Sequence, residues 1–276
     1  MKRFLICLLA AGLSLSLYAA DIFTYAPIKG VIKSYTETEY TIASKFGNYF
    51  RTPSTKITHS FDAKGKETSS VELTARDVEL NRITSNYDAA GNLTEQVCTN
   101  ADKEIIWKMV TTYKNGVKQD VSEYDAKGNL KDKTTFVFEG KNLIDETSYD
   151  GDGALMWKTI YKYNATGKID VICEYNNSGS LSEQESYTYT ESGDIDSITH
   201  YDAFTGEKTQ RVFRYGTDKL LSEITTYDSA KQVTKRVLIK YDEKGNVTKV
   251  SDYNVAEKFG TTVNELVAMS EYVYTY

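Results

Sequence analysis

Residues 124–130 read Y-D-A-K-G-N-L, and the chain keeps returning to that heptad. Residues 87–93 read Y-D-A-A-G-N-L, 149–155 read Y-D-G-D-G-A-L and 241–247 read Y-D-E-K-G-N-V. Weaker copies begin at Phe61, Tyr163, Tyr175, Tyr189, Tyr201 and Tyr227. Read as chemistry, the heptad is a hairpin turn. The aromatic ends a strand, Asp or Asn bonds the backbone two residues on, Gly takes a positive φ, and the following aliphatic begins the return strand.

Spacing turns the motif into an architecture. The aromatic starters at 61, 87, 113, 138, 163, 189, 215 and 241 are 25 or 26 residues apart, and a second series at 124, 149, 175, 201, 227 and 253 interleaves with them. Copies near Arg76 and Asn100 keep the spacing without the aromatic. One strand plus one turn is therefore the unit, and two units make a hairpin of about 26 residues. The expected fold is all-β: an antiparallel meander of about fifteen short strands, laid out as an extended, twisted or curled repeat sheet. Flat, it would be about 70 Å long; curled, its aromatic face becomes concave or closes into a tube.

Parity assigns faces. Side chains alternate along a strand, so Leu155, Trp157, Thr159, Tyr161 and Tyr163 share one side, as do Ile169, Val171, Cys173 and Tyr175, and Val233, Lys235, Val237, Ile239 and Tyr241. Each turn sets its Tyr beside its own Leu or Val, which predicts two bands of Tyr and Leu at the two ends of that face. The other face carries Ile172, Ile198, Ile224 and Val250 among Lys158, Lys162, Glu174, Thr226, Arg236 and Lys240. It reads as a solvated side with a thin apolar stripe. Broken parity near Lys114 and Tyr201 predicts bulges there. Residues 254–269 are the one helix candidate, interrupted by Gly260, and residues 266–276 alternate as a last strand.

The Y-D-x-x-G-x-L unit resembles the YD repeats of the rearrangement-hotspot (Rhs) family, found also in teneurins and wall-associated bacterial proteins. The resemblance covers residues 61–253 and implies hairpins wound into a spiral β-shell. Two departures separate this chain from that family: both ends of each hairpin carry the motif, and no toxin or autoprotease segment follows Tyr253. What the resemblance implies here is hairpin architecture and a secreted or surface role, not toxin delivery.

The first twenty residues predict export. Lys2 and Arg3 precede an apolar run from Phe4 to Leu17 that ends in Ala19 and Ala20, which is a secretory signal rather than a span. Three segments follow from this: a signal peptide at 1–20, an N-terminal capping segment at 21–60 that holds both prolines, and the repeat array at 61–276 with its C-terminal capping strand. Without the signal the chain has 31 basic and 39 acidic residues, net −8. That opposes nucleic-acid binding, which needs a basic footprint. No membrane span is expected in the mature chain. Cys98 and Cys173 are too far apart along the array for a disulfide and read as isolated strand residues.

Catalytic chemistry is hard to find. His59 and His200 have no Cys or His partner at metal spacing, no Ser or Cys sits in a nucleophile elbow, and no Gly-rich phosphate loop occurs. Residues 150–153, D-G-D-G, lack the third oxygen ligand and distal Glu of a calcium loop. Glu183 and Glu185 share a face, but paired catalytic acids need a cleft. No enzyme, no metal and no cofactor are expected. The lead is aromatic, because Tyr and Trp suit recognition of sugars or extended peptides. Trp107, Trp157, Tyr161, Tyr163, Tyr175, Tyr187 and Tyr189 form the candidate ligand-binding face, with a carbohydrate or a protein as partner. The first functional expectation is an exported, non-enzymatic binding or surface scaffold in the periplasm or at the cell surface. The alternative is an outer-membrane β-barrel, suggested by the alternating Tyr-rich C-terminus and opposed by Glu95, Glu183, Glu223, Lys235 and Lys249 on the more apolar face. A glycan-active enzyme is the third.

Overall fold

The turns fall where the heptads are. In the computed structural model, which describes residues 22–45, 48–258 and 260–276, Asp125 N–H donates to Asn129 O at 2.9 Å and Gly128 N–H to Asp125 O at 3.0 Å. Asp125 Oδ1 accepts from Lys127 N–H and Asn129 N–H, both at 2.8 Å. Gly128 takes φ +84°. Where the Gly is missing the backbone keeps its shape, so Asp77, Lys103, Lys219 and Lys231 sit at φ 62–65°. The expected signal at 1–20 lies outside the described residues.

A short helix α1 (Ile22–Tyr25) precedes eighteen strands. They are β1 (Ser34–Lys45), β2 (Asn48–Phe61), β3 (Glu67–Thr74), β4 (Glu79–Tyr87), β5 (Leu93–Asn100), β6 (Ile105–Lys114), β7 (Val117–Asp125), β8 (Leu130–Glu139) and β9 (Asn142–Asp150). Then come β10 (Leu155–Tyr163), β11 (Ile169–Asn176), β12 (Leu181–Tyr189), β13 (Ile195–Asp202), β14 (Lys208–Tyr215), β15 (Leu221–Tyr227), β16 (Val233–Tyr241), β17 (Val247–Lys258) and β18 (Thr261–Thr275). Every strand pairs antiparallel with its neighbours in sequence, and β1 pairs with β18 from Ser34↔Thr275 to Thr41↔Ala268. The meander is therefore a closed barrel.

Closure corrects several expectations. The strands number eighteen rather than about fifteen, and the sheet is neither extended nor open. The reading as a YD-repeat (Rhs- or teneurin-like) spiral of hairpins is overturned, because the ring returns to its own first strand instead of winding on. The helix candidate at 254–269 is strand on both sides of Gly260. Residues 34–61 are two long strands, and β1 closes the ring, which leaves no sheet edge along the barrel.

The short α1 shows which side of the wall is inside. Phe23 lies 5.3 Å from both Tyr35 on β1 and Tyr272 on β18, while Tyr25 lies 4.9 Å from Phe213 on β14. Strands β14 and β1 are five spacings apart, about 24 Å along the wall. A four-residue helix is only about 6 Å long. It reaches both strands only from the concave side, so Phe213, Tyr272 and Tyr35 face the lumen.

From those residues the register carries the inner wall around the ring. Tyr35 faces His59, His59 faces Ser70, Ile83 faces Cys98 and Cys98 faces Trp107. On the far side Trp157 faces Ser148, Tyr161 faces Ile172, Tyr187 faces Ile198, Phe213 faces Ile224 and Ile239 faces Val250. Ile172, Ile198, Ile224 and Val250, expected on the solvated side, are thus lumen residues, Ile198 with no exposed surface. Val171 and Cys173 belong to the outer wall instead. The cause is a register slip beside most turns: Lys162 faces Val171 but Tyr163 faces Ile169, and Glu174 faces Glu183 but Tyr175 faces Leu181, each placing two residues opposite one. Each such bulge reverses the parity that simple alternation would carry across the turn. The turn after Tyr201, where broken parity predicts a bulge, has no slip.

Candidate functional site

The lumen is the one concave surface that the closed ring builds from many strands. Its wall mixes aromatics with carboxylates. Tyr161 OH donates to Glu146 Oε2 at 2.8 Å, Tyr187 OH to Glu185 Oε2 at 2.6 Å and Tyr272 OH to Glu37 Oε1 at 3.0 Å. Arg211 Nη2 bonds Glu185 at 2.9 Å. His59 Nδ1 bonds Glu67 Oε1 at 2.7 Å and its ring stacks on Tyr35 at 4.4 Å. Each phenol gives a carboxylate a donor, and for Glu37, which is buried, this offsets the cost of taking it from water.

One side of the lumen is filled. Residues 22–32 lie along β11–β18 and β1, with Ile22 and Ile32 buried, and Phe23, Tyr25, Ala26 and Ile28 packed on the same apolar cluster. That cluster holds Ile172, Tyr187, Ile198, Phe213, Ile224, Val250 and Tyr272. The segment 21–60, expected as an N-terminal cap, supplies this internal strap with residues 22–32 and then β1 and most of β2.

The seven aromatic candidates separate into three groups. Trp107, Trp157, Tyr161 and Tyr187 are inner-wall residues, Trp107 and Tyr187 buried. Tyr163 and Tyr189 sit at one rim, which also carries both chain ends of the barrel; we call it the proximal rim. Their hydroxyls donate to Leu143 O at 2.8 Å and Ile169 O at 2.6 Å. Tyr175 is at the distal rim, in line with Cys173 on the outer wall. The candidate face is therefore not one surface.

The outer wall is decorated mid-strand with ion pairs. Lys133 meets Asp120 at 3.5 Å, Lys158 meets Asp145 at 2.5 Å, Arg236 meets Glu223 at 3.7 Å and Lys249 meets Glu271 at 4.0 Å, and Lys108 pairs with Glu95. Of the charges expected together on the apolar side, Glu95, Glu223 and Lys249 are on this outer wall, whereas Glu183 and Lys235 face in. Cys98 is inside and Cys173 outside, both as free thiols. Among the described residues no group of three His, Cys, Asp or Glu could hold a metal, and no helix is long and apolar enough to cross a membrane.

Comparison with known proteins yields a fold and no family. No family profile and no curated sequence matches this chain. Among solved structures, a porin-like protein from Bacteroides uniformis is similar over 88% of this chain and 96% of its own, with a TM-score of 0.50 and 12% identity. Another porin-like protein, from Bacteroides vulgatus, aligns over 88% of this chain and 98% of its own at a TM-score of 0.40 and 10% identity. The first likeness is one of fold. Together with the closed ring it supports a β-barrel over the open repeat scaffold, and it replaces the YD-repeat assignment.

Proposed function

We propose that this chain is an exported, non-enzymatic β-barrel of the cell envelope, of the outer-membrane class, that works through its lumen. The observation that carries the reading is closure: eighteen strands satisfy one another's backbone with no free edge along the barrel. Strand structures meet that condition in lipid only as closed barrels. A second feature agrees. Tyr124, Tyr149, Tyr175, Tyr201, Tyr227 and Tyr253 continue the outer-wall parity at the distal rim, an outward aromatic girdle of the kind that sits at a membrane interface.

The ion pairs favour a second placement, with the same barrel standing in the aqueous periplasm. A lipid-facing Lys or Arg at the bilayer midplane costs about 2–4 kcal/mol, and Lys108, Lys133, Lys158 and Arg236 are all mid-strand on the outer wall. In water the same pairs cost nothing and contribute at most about 1 kcal/mol each. Carbonate extraction of envelopes decides the matter. A pellet-bound, heat-modifiable band is the result expected of the membrane barrel, and release by osmotic shock selects the aqueous one.

In either placement the ligand class the inner wall suits is a sugar or an extended peptide, held by Trp107 and Trp157 stacking and by the carboxylates between them. Titration with oligosaccharide, read as quenching of the two Trp, tests it. A Trp157→Ala chain that binds as tightly as the wild type removes the lumen from consideration.

A further inference from the structure

The heptads that begin at Tyr87, Tyr124 and Tyr241 share the pattern Y-D-x-x-G-N, yet one of them has been put to another use. In the first two the motif Asn closes its own turn: Asn92 Nδ2 donates to Asp88 Oδ2 at 2.8 Å and Asn129 Nδ2 to Asp125 Oδ2 at 2.9 Å. In the third, Tyr276 OH takes the place of that donor, bonding Asp242 Oδ2 at 2.9 Å. The Asn246 amide is released and turns toward the N-terminal segment. Its Oδ1 accepts Lys29 N–H at 2.6 Å and its Nδ2 donates to Lys29 O at 3.1 Å, with Tyr276 OH at 3.0 Å as a further acceptor. Asn246 is 1% exposed.

We propose that residues 22–32 are a latched stopper in the lumen and that Asn246 is the latch. The strap is held by its apolar side chains and by one polar clamp. Ile22, Phe23, Tyr25, Ala26 and Ile28 rest on the lumen cluster, and the backbone of Lys29 is clamped by a single side chain at the rim. Between clamp and barrel, Lys29, Gly30 and Val31 are exposed and Ile32 is buried, and the backbone joins the wall at Lys33, whose N–H donates to Thr275 O at 2.7 Å and whose O accepts Phe61 N–H at 2.8 Å. The strap therefore has a peripheral tether that opens without unfolding a strand. Withdrawing it uncovers Tyr35, Ile198, Phe213, Ile224, Val250 and Tyr272, a continuous aromatic and aliphatic groove. The proposal rests on the closed ring alone and holds whether the outer wall meets lipid or water.

Asn246→Ala separates latch from turn, because the backbone N–H of residue 246 still donates to Asp242 Oδ1. The experiment is limited trypsin digestion of the folded barrel, read by mass as loss of the chain up to Lys29. Removing the two part-buried hydrogen bonds to Lys29 is expected to speed that cleavage about tenfold or more, with unchanged β circular dichroism and higher emission from the apolar dye 1-anilinonaphthalene-8-sulfonate. Asn129→Ala, which alters an ordinary turn, should cleave at the wild-type rate. Asn246→Asp keeps the acceptor for Lys29 N–H and loses the donor, so an intermediate rate is expected; this arm also serves if the Ala variant fails to fold. Equal rates for Asn246→Asp and wild type overturn the latch. Cleavage at Lys29 that rises with urea only in step with global unfolding overturns the stopper, since the strap would then be permanent core.

Discussion

The two rims of this barrel are made from the same heptad and point it in opposite directions. At the proximal rim, Tyr87, Tyr163, Tyr189, Tyr215 and Tyr241 continue the parity of the inner wall, and their partners Leu221 and Val247 are buried in the lumen cluster. At the distal rim the tyrosines continue the outer wall, and their partners Leu130, Leu155, Leu181 and Val233 lie outside that cluster. Facing inward has a further consequence. Each proximal hydroxyl reaches the preceding hairpin: Tyr87 donates to Glu67 O at 2.8 Å, Tyr113 to Leu93 O at 3.1 Å, Tyr215 to Ile195 O at 2.9 Å, Tyr241 to Leu221 O at 2.7 Å and Tyr274 to Val247 O at 2.8 Å. The distal series makes no such bond among the described residues. One rim is thus stapled hairpin to hairpin, while the other offers its rings to whatever surrounds the barrel.

The largest expected break in this comparison is truncation. Tyr241→Ala removes a ring packed on the lumen cluster together with its staple and should cost about 3 kcal/mol. Tyr227→Ala removes an outward ring and should cost about 1 kcal/mol. Urea unfolding measures both, and equal losses would mean that the rims do not differ energetically. A finer version asks about the hydroxyl alone. Tyr189→Phe should cost about 1 kcal/mol and Tyr175→Phe under about 0.5 kcal/mol. Two aromatic rungs of the series lack a hydroxyl, Phe61 and Phe138, and the neighbour of Phe138 across the previous turn is Lys118, paired with Tyr113. Phe138→Tyr should therefore donate to Lys118 O and gain about 1 kcal/mol; a loss of stability would show that the rung has no room.

What could be read from the residues follows from how local each feature is. The aromatic–Asp–Gly turn is decided within five residues, and residues 124–130 announce it. The pairing of Tyr124 with Leu130 or Tyr241 with Val247 is equally local and correctly expected. The faces were not legible, because the slip between Glu174 and Tyr175 adds a residue that alternation cannot count. Slips of the same kind at Thr188/Tyr189 and Arg214/Tyr215 are why Ile198 and Ile224 read as solvent residues, and why two bands of Tyr on one side are in fact one band inside and one outside. Closure was less legible still. Ser34 meets Thr275, and no feature of either end tells a strand that it will have a partner so distant in sequence. Asn246 is the extreme case: its heptad matches that of Asn129, and only the presence of Tyr276 and Lys29 gives it other work.

Turn backbone gives the next, smaller effects, and it should act alike at both rims. Gly128 has φ +84° and open space where a Cβ would go, so Gly128→Ala isolates the conformational term. The expected loss is about 1 kcal/mol. Lys231 occupies the same place with φ +64°, and Lys231→Gly should gain a few tenths of a kcal/mol, about the strain relieved less the added chain entropy. Thermal melts of the pair check the sign. If Lys231→Gly were as harmful as Gly128→Ala, the Lys side chain would be contributing something its turn position does not show.

The smallest effect concerns acid. Asp62 is held below the ordinary carboxylate range chiefly by Lys66 N–H, and Asp88 chiefly by the Asn92 side chain and then its N–H. A carboxylate lowered in the folded chain contributes stability that is fully present above its unfolded value, about 3.9, and is lost as pH falls through the folded one. Both sites lie on turns at the fluid-exposed proximal rim. Two other turns, at Asn164 and Asn176, do the same job with a neutral amide whose Oδ1 accepts from residues two and four further on. Asp88→Asn should therefore keep the turn at neutral pH and flatten the fall in stability below about pH 4. Parallel stability–pH curves for the two chains would show that the carboxylate's charge adds nothing to the bond its oxygen makes. Asn164 at the proximal rim and Asn176 at the distal one would then be full equivalents of the aspartates, and the heptad's first polar position would require an acceptor alone.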